Sequence, residues 1–327
     1  MSAVLLWWVF RGEDLGEIGR QIALANPALL ILAGAIATAG GLIRALRWRL
    51  LLEPLGVPVS LNARWKALNI GFAVTNLALG RAGELARPFA LSKMVPVSTS
   101  AALGTVVLER VLDMVALLIL LLITLLAPAF PSDATMFGRP IGYAVAAALV
   151  IGFVALGLVT SLVFWPDRAV QVVRSIVDRL PGKSAGRIVD ALAALLTGLD
   201  LIRQPAALLK ALLWSLLLWV WMAASFWIAF RAFEIDLGFT AALFTQCVVS
   251  VFVAIPAGPG FIGTLQAGVL VAVSGVFNIP ETEALSMSLG YHLAGYIPVT
   301  LLGVYYGWTL RLRYGAIGRE HTTEGPS

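Results

Sequence analysis

Five apolar runs, at Pro27 to Leu46, Thr99 to Ala127, Ile141 to Trp165, Ala206 to Phe230 and Ala284 to Leu310, constrain this chain more than any other feature. A helix needs about 20 apolar residues to cross the hydrocarbon core of a bilayer, and each run reaches or approaches that length. Lipid offers no hydrogen bonds to a bare backbone, so such runs must be helical. The expected fold is an all-α polytopic membrane protein with about five full crossings. Composition agrees, with 60% of residues apolar and only 13% charged, far from the balance of soluble domains. Met1 to Phe10 is apolar too. Its ten residues would span only about 15 Å as a helix, so the segment reads as a half-span, an interfacial anchor or a truncated first helix. No basic residue precedes it and no small-residue cleavage site follows, which argues against a cleaved signal.

Lysine and arginine cluster in alternate connections: Arg44, Arg47, Arg49, Arg64 and Lys66; then Arg168 through Lys210; then Arg311, Arg313 and Arg319. Assigning these regions to the cytoplasm makes every crossing alternate, which places the C-terminus in the cytoplasm and the chain in the cell inner membrane as a multi-pass protein. Two hydrophobic regions are broken by Gly, Pro and polar residues: 67–94, and 238–277 with its break at IPAGPGFIG. The first enters and leaves on the cytoplasmic side and the second on the opposite side, so both are expected as re-entrant helical hairpins of opposite orientation, in an arrangement like an inverted repeat. Paired broken segments in corresponding halves point to a transporter binding site near the bilayer midplane. Segment 167–205 alternates apolar and charged residues at helical spacing, as amphipathic helices on the cytoplasmic surface do. One transmembrane domain over 1–319, followed by a disordered tail at 320–327, completes the expected organisation. Trp7, Trp8, Trp48, Trp65, Trp165 and Trp308 read as interfacial belt residues.

Three constellations can carry chemistry. In GRAGELAR, Arg81, Glu84 and Arg87 recur every third residue, and Pro88 biases Arg87 away from helical geometry. Charges at that depth are costly, and one Arg–Glu pair leaves the second arginine unmatched. Either an anionic phosphate completes the set, matched by the guanidinium fork, or Glu84 closes a structural network with both arginines. In ERVLD, Glu109 and Asp113 share a helix face with Arg110 beside them, about ten residues into a crossing. These acids either counter Arg81 and Arg87 or carry a transported proton. In PAGPGFIGTLQAG, Pro259, Gly260 and Gly263 break the helix, Thr264 can begin a new one, and Gln266 adds a neutral donor and acceptor. The break is either a half-helix terminus aimed at an anion or a packed kink. His292, within the last crossing, is either a titrating group or a hydrogen-bonded packing residue. Cys247, the only cysteine, reads as a small core residue.

The net charge of +5 flanks apolar spans and forms no aromatic-interleaved stripe, so it speaks for lipid headgroups and topology, with no nucleic-acid partner expected. No zinc-spaced Cys/His set, P-loop, GxSxG elbow or Asp-x-Asp pair is present in the sequence, and neither metal nor cofactor is expected.

RALRW (Arg44 to Trp48), GRAGELAR, ERVLD and PAGPGFIG (Pro256 to Gly263) occur in that order, and with them the chain resembles the flippase-like membrane domain family that includes the transmembrane region of lysylphosphatidylglycerol synthases. The resemblance implies a lipid translocase that moves an aminoacylated, glycosylated or polyprenyl-linked phospholipid between leaflets. Two departures stand out: Gln266 occupies a position where the family usually has Glu, and the first membrane helix is short or missing. The competing function, from another class, is a membrane-embedded enzyme or accessory subunit of lipid-linked glycan synthesis. Expected partners are an anionic phospholipid or lipid-linked substrate, the bilayer, and either further copies of the chain or a partner enzyme.

Overall fold

A computed structural model describes residues 7, 9–78, 82–136, 138–177, 184–255 and 258–310. Arg81, Pro256 and the tail at 320–327 lie outside the described residues. The described chain is almost wholly helical, with a two-residue hairpin, Thr135–Met136 against Arg139–Pro140, as its only strands. It is an all-α polytopic membrane protein.

Helix α1 (Leu15–Leu24) is short and surface-lying. Asp14 caps it, and Arg20 donates to Glu17 from Nε at 2.8 Å and Nη2 at 2.6 Å, hydrogen bonds that hold the Glu17 carboxyl down at about 2. Helix α2 (Pro27–Leu52) starts where Asn26 Oδ1 accepts from the N–H groups of Ala28 and Leu29, with Pro27 at the first helical position. Helices α3 (Leu61–Leu77) and α4 (Gly83–Ser92) form the first broken region. Ser60 caps α3, and Ser98 caps α5 (Thr99–Leu125). Helix α6 (Ile141–Phe164) is apolar on every face and largely exposed, as a helix surrounded by lipid is.

The amphipathic segment forms two helices, α7 (Pro166–Val177) and α8 (Ser184–Thr197). Helix α8 does more than lie on a surface. Gly198, just past its end, and Gly104 on α5 come so close that a β-carbon on either would overlap backbone of the other segment, and Leu196, Leu199 and Leu201 are buried beside them. Helix α9 (Pro205–Ala232) runs against α2. Helix α10 (Phe239–Ala254) and helix α11 (Thr264–Val269) form the second broken region. A π-helical turn, Leu270–Ser274, and a short turn, Gly275–Phe277, extend α11. Asn278, with φ of 57°, ends it, and helix α12 (Glu281–Thr309) follows.

Helices α2, α9 and α12 and the segments Ile141–Leu158 and Pro259–Phe277 are long and apolar enough to cross a membrane. Helix α5 has comparable length but holds Glu109, Arg110 and Asp113 in its middle. Of three apolar cores, two surround the broken regions. One gathers Phe226, Phe230, Phe244, Leu285 and Met287 around α10 and α11; the other gathers Trp48, Leu51, Leu68, Leu91 and Leu108 around α3 and α4. Each broken region is thus wrapped by its own core, which is how irregular backbone is shielded from lipid.

Candidate functional site

Four arginines converge where α2, α4 and α5 meet. Arg87, on α4, forms a fork-to-fork pair with Glu109, its Nη1 and Nη2 each 2.9 Å from a different carboxylate oxygen. Arg47, fully buried on α2, reaches Glu109 at 3.2 Å and pairs closely with Asp113; its Nη1 also donates to Ser215 Oγ at 2.6 Å. Arg110 pairs with Glu109 and lies 3.3 Å from Asp113. Arg44 lies 3.7 Å from Asp113.

Aromatic side chains complete the enclosure. Arg87 lies over the Trp48 indole, whose Nε1 donates to Thr105 Oγ1 at 2.9 Å. Arg44 lies over Trp219 at 5.1 Å, and Trp219 Nε1 donates to Asp113 at 3.1 Å. Trp48 is therefore a buried site residue and no belt anchor; Trp65 is half-buried and bonded to the Tyr306 hydroxyl, and Trp7, Trp165 and Trp308 are exposed. Glu109 and Asp113 lie ten and fourteen residues into α5, or about 15 and 21 Å from its start, near the middle of that helix.

The charges do not balance. Arg44, Arg47, Arg87 and Arg110 face Glu109 and Asp113, with Glu84 near enough to act electrostatically on Arg110. Four cations against three anions leave one positive charge in excess among the described residues. The Nε atoms of Arg47, Arg87 and Arg110 are buried with no hydrogen-bond partner in the structure. A guanidinium with an unused N–H can bond a further anionic oxygen.

Arg44 and Arg47 are the members of the cluster that sequence reasoning missed, since both were assigned to a cytoplasmic basic connection. Leu50, Leu51 and Leu52 continue the helix beyond them, and that apolar extension was the available signal. Arg64, from the same group, is also buried, with its guanidinium on backbone carbonyls of Ser60, Ala45 and Leu46. Helix α4 runs straight through Pro88, so Arg87 is helical where the proline was expected to displace it.

A second constellation lies at the break before α11. Gly260, Phe261 and Gly263 have φ of 63°, 61° and 92°, and Pro259 opens the short turn that contains them. Gln266 Oε1 accepts the Gly263 N–H at 2.8 Å, and Gln266 Nε2 meets His292 Nδ1 at 3.1 Å. Gln266 and His292 make no contact with the arginine cluster among the described residues. The end of α3 approaches this turn instead. Tyr296 donates to the Asn76 carbonyl at 3.0 Å, Asn76 Nδ2 donates to Thr300 at 2.7 Å, and a β-carbon on Gly260 would strike the Tyr296 ring. The two broken regions therefore meet against α12.

Residues 1–303 match the family described as lysylphosphatidylglycerol synthase TM region. The chain belongs to that family. Two relatives from Methanothermobacter thermautotrophicus, each named a UPF0104 membrane protein, are similar along most of their length. One is 26% identical over 85% of this chain and 81% of its own; the other is 21% identical over 89% of each. A UPF0104 membrane protein of Methanocaldococcus jannaschii is 29% identical over 30% of both chains. No solved structure matches. The matched span takes in the arginine cluster and the α10–α11 break alike, so this member of the TM region family is a multi-pass membrane protein whose charged centre lies within the shared domain.

Proposed function

We propose that this chain is a lipid translocase in which the arginine cluster holds the phosphate of a phospholipid or lipid-linked substrate while its headgroup crosses between leaflets. The observation that carries this reading is the excess of buried guanidinium over carboxylate, with three arginine Nε–H groups left without partners. A phosphate supplies both the missing negative charge and acceptors of suitable geometry. Arg87, together with Arg81, would grip it; Arg44, Arg47 and Arg110 add to the positive field, and Glu84, Glu109 and Asp113 keep the empty site tolerable in lipid. The break at Pro259 to Gly263, with Gln266 and His292, would line the passage beyond.

In this reading α3–α4 and α10–α11 are re-entrant hairpins entering from opposite faces of one transmembrane domain. The chain resides in the inner membrane with its C-terminus in the cytoplasm. Their meeting at Tyr296 supports a pathway closed at its middle in this state. Reconstitution in vesicles with a fluorescent phospholipid tests the proposal: Arg87→Ala should abolish leaflet exchange while the variant elutes as folded protein, and exchange at the parent rate would reject the assignment. Turnover of a radiolabelled lipid-linked donor by the purified chain would replace translocation with the enzymatic reading.

A further inference from the structure

The connection between α2 and α3 borders an open cavity of about 680 Å³ that the arginine cluster does not use, lined by Arg49, Glu53, Gly56, Pro58, Ser60 and Arg64 among others. It lies at the end of the membrane-crossing segment Pro27–Leu55. Arg64 is 4% exposed. Its Nε donates to the Ser60 carbonyl at 3.3 Å, and its Nη1 donates to the carbonyls of Ala45 and Leu46. A guanidinium has five N–H donors, and the Nη2 pair of Arg64 bonds nothing among the described residues. No carboxylate pairs with it among the described residues, and the charge that acts on it is another cation, Arg49, which itself makes no ion pair among the described residues. Glu53, the acid lining the cavity, forms no ion pair with Arg64 among the described residues. The start of α3 faces the same space through Ser60 and Leu61 and adds the positive end of a helix dipole.

We propose that this cavity is a second anion site, binding a phosphate group at the membrane surface through Arg49 and the free Nη2 of Arg64. It is independent of the arginine cluster and of its proposed role. Arg64 is locked by backbone carbonyls and supplies a pre-oriented donor, and the exposed Arg49 closes over the anion. The phosphate can come from a phospholipid headgroup or from solution, and the test separates these sources.

Pro58, exposed on the rim, is replaced by cysteine (Pro58→Cys), and its labelling by a maleimide is timed in detergent; Cys247 is buried and gives little background. The additions are inorganic phosphate, dioctanoyl phosphatidylglycerol, and dioctanoylglycerol, which has similar tails but no phosphate. Slower labelling with inorganic phosphate identifies a soluble anion site; slower labelling with phosphatidylglycerol alone identifies a headgroup site. In either case adding Arg49→Gln, which leaves the carbonyl contacts of Arg64 intact, should raise the half-protecting concentration roughly tenfold. Labelling unchanged by both phosphate probes, equal protection by dioctanoylglycerol, or protection undiminished by Arg49→Gln would overturn the site.

Discussion

The guanidinium of Arg87 lies 3.7 Å from the centre of the Trp48 indole ring while its two terminal nitrogens grip Glu109. Stacking and forking both require a planar cation, so charge alone does not reproduce them. Arg87→Lys should therefore slow leaflet exchange of a labelled phospholipid about tenfold or more, although the variant keeps its charge and its folded yield. Exchange at the parent rate would mean that a point charge suffices there.

The excess of cations makes the cluster's two signs unequal in a stability measurement. Removing Glu109 leaves four guanidinium groups facing Asp113 and the more distant Glu84, whereas removing Arg87 brings the described charges to three against three. Breaking a buried pair costs about 3–5 kcal/mol when it strands a charge. Glu109→Gln should lose about that much in a thermal melt, and Arg87→Met distinctly less. The reverse order would contradict the charge imbalance.

Gly83 of α4 lies against Gly71 of α3 so closely that a β-carbon would overlap the Gly71 carbonyl oxygen and the Thr75 hydroxyl. The carbonyl belongs to the backbone of the neighbouring helix and cannot swing away cheaply. Gly83→Ala should separate α3 from α4 and sharply reduce the monodisperse fraction on size-exclusion chromatography. Gly142→Ala, at a position with nothing within 4 Å, should leave the profile unchanged.

Four crossings were legible because lipid demands long apolar helices, and α2, α6, α9 and α12 fall on apolar runs; α5 fills the fifth run but carries three charges, and Pro259–Phe277, read as part of a hairpin, has the length and apolarity to cross. The charged half of the site was legible for a related reason: Arg87, Glu109, Arg110 and Asp113 stood out as charges in apolar surroundings. Arg44 and Arg47 did not, because an arginine near the end of an apolar run looks the same whether it faces a water-filled loop or a carboxylate. What decides is Asp113, sixty-six positions away from Arg47, and no local pattern encodes that pairing. The docking of α8 on α5 was hidden likewise, since Gly104 and Gly198 reveal their contact only when the helices are brought together.

Gln266 stands fully buried at the start of α11, where it performs two tasks with one side chain. Its Oε1 satisfies the Gly263 N–H, at a backbone of positive φ that only glycine holds without strain, and its Nε2 faces His292. Gln266→Leu strands that N–H and one polar face of His292, which costs about 1–3 kcal/mol for a buried unsatisfied group. Gln266→Glu keeps an oxygen for the Gly263 N–H. Thermal melts in detergent should therefore rank the parent first, Gln266→Glu second and Gln266→Leu last. Were Gln266→Leu to match the parent, the turn before α11 would be held by its packing against Tyr296 and Asn76 alone, and Gln266 would be free to act on a substrate.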